Sequence, residues 1–129
     1  MANSTDSIDN SDYNNFKAIA LLLGGLAVVL GAFGAHALKE SLSEARLDTW
    51  QTAVFYQFIH VFLILILAKE KRQRLIDWGM RAALVGIVLF SGSLYLLCLT
   101  NIKQLGMITP IGGLLFILAW LAAFFACLK

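Results

Sequence analysis

Charge is scarce in this sequence, and its absence is concentrated. Asp, Glu, Lys and Arg make up 14% of the 129 residues while 60% are hydrophobic, against about a quarter charged in an ordinary globular domain. The few charges fall in clusters that leave four long windows without any: residues 18–38, 49–68, 82–102 and 104–128. Each window reaches the roughly 20 residues that a helix rising 1.5 Å per residue needs to cross about 30 Å of hydrocarbon. Alternation of polar and apolar positions over about ten residues, which a membrane barrel would need, is missing. The chain therefore reads as an all-α membrane protein, a bundle of four transmembrane helices over about 17–38, 50–68, 79–100 and 108–128, with the lipid bilayer as its first partner.

Other absences narrow the chemistry. Every Asp and Glu lies outside the windows, no Ser-His-Asp set is arranged, and no glycine-rich phosphate loop follows a strand. No carboxylate or cysteine stands at ligand spacing from either histidine. Intramembrane charge and broken helices, the usual marks of a transporter, are lacking too. The loops are too short for a soluble catalytic domain. The expectation is accordingly a protein that is not an enzyme, with no metal, no cofactor and no nucleic-acid partner. There are two cysteines. Cys98 falls near one end of the third span and Cys127 near the opposite end of the fourth, too far apart for a disulfide, and both read as small apolar fillers.

Basic residues set the expected orientation, because cytoplasmic flanks are enriched in Lys and Arg. Lys69, Lys71, Arg72, Arg74 and Arg81 flank spans two and three, and Lys17 and Lys129 share their side; Lys39, Arg46 and Lys103 lie opposite. Seven of ten on one side predicts cytoplasmic N and C termini, with contact to anionic lipid a secondary consequence of the basic loop. Residues 1–15, rich in Asn, Ser and Asp, predict a disordered cytoplasmic tail, with 16–129 forming one domain. A secretory-signal reading of the first window, with Ala35-His36-Ala37 as cleavage site, is disfavoured by Asp6, Asp9 and Asp12 and by the length of the apolar run.

Between spans one and two, Leu38, Leu42 and Ala45 recur at helical intervals and Ser41 precedes Glu44 by three, which predicts a short interfacial helix with a capping box in the first outer loop. Trp50 and Trp78 are expected as headgroup-level anchors. Thr109-Pro110 predicts the start of span four, threonine as cap and proline in the first turn. Small residues predict close helix packing: Ala27, Gly31 and Ala35 on one face of span one with Gly34 beside them, Gly79, Ala83 and Gly86 on span three, and Gly112 and Gly113 on span four. Such faces would serve packing within the chain, a homo-oligomer, or contact with other integral membrane proteins.

Polar side chains inside a bilayer are costly and are the best pointers to a site. Gln57 lies about 10 Å and His60 about 15 Å below the outer end of span two, level with Ser91 and Ser93 on span three. Tyr56, Gln57 and His60 can interact along one helical flank. Tyr95 adds to the group, and His36 sits at the outer end of span one. A polar cluster in the outer half, centred on Gln57, His60, Ser91 and Ser93, is the candidate ligand site. It either fixes helix register through hydrogen bonds worth about 0.6 to 2 kcal/mol each, or lines a site for a quinone, a lipid headgroup or a small polar solute. Bis-histidine haem ligation is disfavoured, since His36 and His60 differ in depth by roughly 12 Å.

Four segments together carry a resemblance. Gly31-Ala32-Phe33-Gly34-Ala35-His36 is followed by Thr49-Trp50-Gln51-Thr52-Ala53-Val54 leading to Tyr56-Gln57 and His60, then Ser91-Gly92-Ser93-Leu94-Tyr95-Leu96 with Thr100, then Gly106-Met107-Ile108-Thr109-Pro110-Ile111-Gly112-Gly113. In this order and spacing the chain resembles the family called domain of unknown function 423, over about residues 17–126, with transmembrane protein 256 as its eukaryotic relative. The resemblance implies a multi-pass helical protein of the bacterial inner membrane with no established activity and no catalytic residues to transfer. Ala37 and Asn101 stand where many relatives would carry glycine. The expected role is an accessory or structural subunit, or an assembly helper, of a membrane complex.

Overall fold

A computed structural model of the chain describes residues 4–129, with side chains from Ser11 onward. The described residues form helices without strands: α1 (Ser4–His36), α2 (Glu44–Leu67), α3 (Arg74–Gly86), a π-helical segment (Ile87–Ser91), α4 (Gly92–Thr100), a 3₁₀ turn (Lys103–Met107) and α5 (Thr109–Cys127). The third span is α3, the π segment and α4 run together. Four stretches, Ser11–His36, Glu44–Leu67, Arg74–Thr100 and Lys103–Cys127, are long and apolar enough to cross a membrane.

α2 lies in the middle, touching α1 on one side and the third span on the other, while α5 packs on α3 and the π segment. Small residues set these approaches. Ala20 and Ala27 of α1 are fully buried, and Gly24 and Gly31 stand within contact of Val61 and Val54 on α2. Ala83 and Ala119 are likewise fully enclosed where α3 meets α5. In lipid, such contacts gain dispersion energy without any hydrophobic drive. Ala35, expected on the packing face with Ala27 and Gly31, is instead exposed, and Gly34 is the buried residue. A straight helix advances 100° per residue, so a strict four-residue spacing drifts about 40° per step off the seam.

Two further expectations change, and the start of the chain is described in part. Residues 1–3 of the expected disordered tail lie outside the described residues, but α1 already runs from Ser4. Tyr13 is buried beneath the Arg72 guanidinium, 5.0 Å from ring centroid to Cζ, and Asp12 pairs with Arg72 at 3.5 Å, so the helix is held at this turn by the loop between α2 and α3. The separate interfacial helix is also missing. Residues 37–42 form turns, and α2 absorbs the rest, capped not by Ser41 but by Ser43, whose Oγ accepts from the Arg46 amide at 3.3 Å. Finally, Pro110 does sit in the first turn of α5, but Thr109 makes no cap bond; its hydroxyl is 2.6 Å from that of Ser93.

Candidate functional site

The four residues at the centre of the expected cluster are buried, with Gln57 and His60 at 2% exposure, Ser91 at 0% and Ser93 at 4%. The structure does not gather them around one cavity. It distributes them as separate ties between helices. Gln57 donates from Nε2 to the Leu23 carbonyl of α1 at 2.7 Å and accepts at Oε1 from the Tyr95 hydroxyl of α4, also at 2.7 Å. One side chain thus joins three spans. Ser91 donates to the Ala53 carbonyl of α2 at 2.7 Å. Ser93, two residues on and therefore about 200° round the helix, faces the other way, toward Thr109.

His60 is held from both ends. Its Nδ1 lies 2.7 Å from the Tyr56 carbonyl and so carries the proton, which leaves Nε2 to accept from the Trp120 indole N–H of α5 at 3.1 Å. The ring also stacks on Phe116, centroids 3.5 Å apart and planes 9° apart. Both nitrogens are engaged in this neutral tautomer, the assignment following from the partners. His36 is exposed at the end of α1 and does not approach this group. Tyr56 is more than a third exposed, and its hydroxyl makes no hydrogen bond among the described residues.

The directions taken by Ser91 and Phe90 go with a π segment in the third span. The Gly92 amide bonds to Ile87, five residues back, instead of four, which inserts an extra residue into the turn and re-aims the side chains around it. Ser91 turns to α2, and Phe90 turns toward Tyr56 (centroids 4.6 Å) and Phe116 (5.3 Å). Between α2 and α5 these rings border a groove of about 560 Å³, lined by Tyr56, His60, Phe90, Pro110, Phe116 and Trp120 among others. A second groove of about 340 Å³ continues past Trp120 along Leu63, Leu67 and Phe124. Trp120, hydrogen-bonded to His60, borders both.

Several members were not visible in the sequence. Trp120 carries a signal, since a tryptophan in the middle of a span must find a partner for its N–H; the carbonyls of Leu23 and Ala53 carry none. Arg46, counted as a flanking charge, caps the end of α4, donating to the carbonyls of Leu97 (3.2 Å) and Cys98 (3.1 Å) and to the Asn101 side chain. Asn101 itself has φ 60°, the left-handed region, which is why a residue tolerant of that region, glycine or asparagine, ends this helix. Trp50, expected at the headgroup level, is 1% exposed, whereas Trp78 is 65% exposed. Among the described residues no group of three or more His, Cys, Asp or Glu could hold a metal ion.

Gln57→Leu should destabilise the fold by about 1 to 2 kcal/mol, because the Tyr95 hydroxyl loses its acceptor in an apolar setting. Adding Tyr95→Phe should recover part of that loss, since the orphaned hydroxyl is then gone. Unfolding of both variants in mixed detergent micelles measures the difference; additive losses would disprove the pairing.

Helices of this length, tied by buried polar pairs and free of charge at depth, define a four-span integral membrane protein. Residues 30–113 match the family model described as a protein of unknown function, DUF423, and the chain belongs to that family. It is 43% identical over 117 residues to a UPF0382 membrane protein of Staphylococcus epidermidis, covering 86% of this chain and 96% of the relative. It is 43% identical over 111 residues to the UPF0382 membrane protein YwdK of Bacillus subtilis (81% and 88% covered). With the UPF0382 inner membrane protein YgdD of Escherichia coli K12 it shares 38% over 104 residues (78% and 79%). No solved structure matches the chain.

Proposed function

We propose that the chain is a non-enzymatic accessory or structural subunit, or an assembly helper, of a complex in the bacterial inner membrane, with both termini in the cytoplasm. The observation that carries this reading is the pairing of every buried polar side chain in the candidate site. Gln57, His60, Ser91 and Ser93 all hydrogen-bond to other parts of the fold, which supports a structural use of these groups over a substrate site. Such ties fix helix register. Long apolar faces remain on α1 and α5, where Leu22, Val28, Phe124 and Phe125 are all more than half exposed.

Extraction in several mild detergents followed by native mass measurement tests the role. Co-purifying membrane proteins in fixed ratio are expected; a lone chain in every detergent would overturn it. Reporter fusions at each terminus test the orientation.

A second reading, a site for a quinone or other small molecule, is favoured by one observation: the groove between α2 and α5 has an aromatic wall that includes Tyr56, whose hydroxyl makes no hydrogen bond among the described residues. Tyr56→Phe should then weaken binding of an added quinone severalfold while leaving stability unchanged. Equal binding by both proteins would remove this alternative.

A further inference from the structure

Where α1 enters the membrane and α2 leaves it, the chain encloses a polar crevice of about 490 Å³. Its walls come from two segments about fifty residues apart: Tyr13, Asn14 and Lys17 on α1, and Lys69, Lys71 and Arg72 in the loop after α2. Arg72 is committed to the fold, lying over the Tyr13 ring and facing Asp12 at 3.5 Å and Asp77 at 3.9 Å. The three lysines are not. Lys17 is half-buried, Lys69 and Lys71 are exposed, and none forms an ion pair among the described residues. Among the described residues Glu70 is the one acidic side chain lining the crevice, against Lys17, Lys69, Lys71 and Arg72, so this lining is net positive.

The retention of basic residues beside a span explains that lysines occur here. It does not explain why three of them converge on one cavity, since Arg74 and Arg81 meet the same rule without lining it. Depth is the second observation. Lys17 immediately precedes the first uncharged window and Lys69 immediately follows the second, which places the crevice at the level of lipid headgroups.

We propose that this crevice binds the phosphate group of an anionic phospholipid, with Lys17, Lys69 and Lys71 supplying the charge and the Asn14 amide a hydrogen bond. A phosphate offers several strong acceptor oxygens to ammonium groups, and basic residues near a membrane surface attract anionic lipid additively. Free inorganic phosphate presents the same chemistry without an acyl anchor. The headgroup depth favours the lipid.

The full chain in a mild, uncharged detergent is titrated with phosphatidylglycerol and, separately, with phosphatidylcholine of identical acyl chains, and bound lipid is counted by native mass spectrometry. Preferential binding of phosphatidylglycerol is expected. The triple variant Lys17→Gln, Lys69→Gln, Lys71→Gln should weaken it on the order of 100-fold, and Lys71→Gln alone about fivefold. Lys39→Gln with Lys103→Gln, charges outside the crevice, should leave it unchanged. The single variant at an exposed position keeps the test valid if the triple variant fails to insert. Undiminished binding by Lys71→Gln and by a folded triple variant would overturn the proposal, as would equal losses in the Lys39 and Lys103 control. Displacement of the lipid by submillimolar inorganic phosphate would overturn the lipid assignment in favour of the free ion.

Discussion

Trp50→Ala is expected to destabilise the protein by about 3 kcal/mol, the lower end of the range for deleting a buried tryptophan. The indole is enclosed at the α1–α2 contact. Its N–H donates to the Leu30 carbonyl at 2.8 Å, and its ring lies 4.7 Å from Tyr95 and 6.3 Å from Phe33, centroid to centroid. Leu38, Val54 and Cys98 complete the cluster. The lower end applies because the surrounding medium is itself apolar: exposing these neighbours to lipid forfeits packing and a hydrogen bond but little transfer energy. Trp50→Phe, which keeps a ring and loses the N–H, should cost about 1 kcal/mol. Denaturant titration in micelles, followed by helical circular dichroism, gives both values. A change below about 0.5 kcal/mol for Trp50→Ala would return the residue to the headgroup level, where surface substitutions are nearly neutral.

Gly112→Ala should cost a similar amount for the opposite reason. A Cβ at this position would stand 2.4 Å from the Phe90 amide nitrogen and 2.8 Å from its Cα. Those are main-chain atoms of the π segment, and they cannot swing aside as a side-chain tip can. The helices would have to separate, at a cost in the usual 1 to 3 kcal/mol range for overpacking and toward its upper end. The neighbouring Gly113→Ala provides the control, because its Cβ would meet only the Phe90 ring at 3.7 Å, an ordinary contact. That variant should be neutral or slightly stabilised, since alanine is the better helix former. Comparison of the two unfolding midpoints isolates the close approach of α5 to the π segment. Equal midpoints would mean that no such approach exists.

Gly34 shows the same device from the other side of the bundle. Its absent side chain makes room for the Trp50 indole, which would lie 2.4 Å from a Cβ there. The Gly31-to-His36 and Thr49-to-Val54 segments, successive motifs in the sequence, therefore meet at this contact as well as at Gly31 against Val54. Neither segment alone announces it. A glycine in an apolar run reads as a generic packing residue, and a tryptophan at the mouth of a span reads as an anchor; only their juxtaposition makes one the socket of the other.

The number of spans, their helical character and the presence of costly polar groups near one level were legible in the primary structure. A bilayer imposes a length of about 20 uncharged residues and requires each span to satisfy its own backbone, and both constraints act along the chain without reference to its neighbours. The fate of the polar groups was not legible. Ser91 and Ser93 share a depth but face α2 and α5 respectively, and His60 finds Trp120 sixty residues away. Those outcomes depend on helix rotation, which the π turn at Ile87–Ser91 resets by one residue, and on which spans become neighbours. Sequence by itself thus determined that the chain crosses a membrane four times. Tertiary structure alone decided that its intramembrane polar side chains tie helices together and that three of its lysines, Lys17, Lys69 and Lys71, meet in a crevice, because depth is a property of each span while azimuth is settled only when the spans pack.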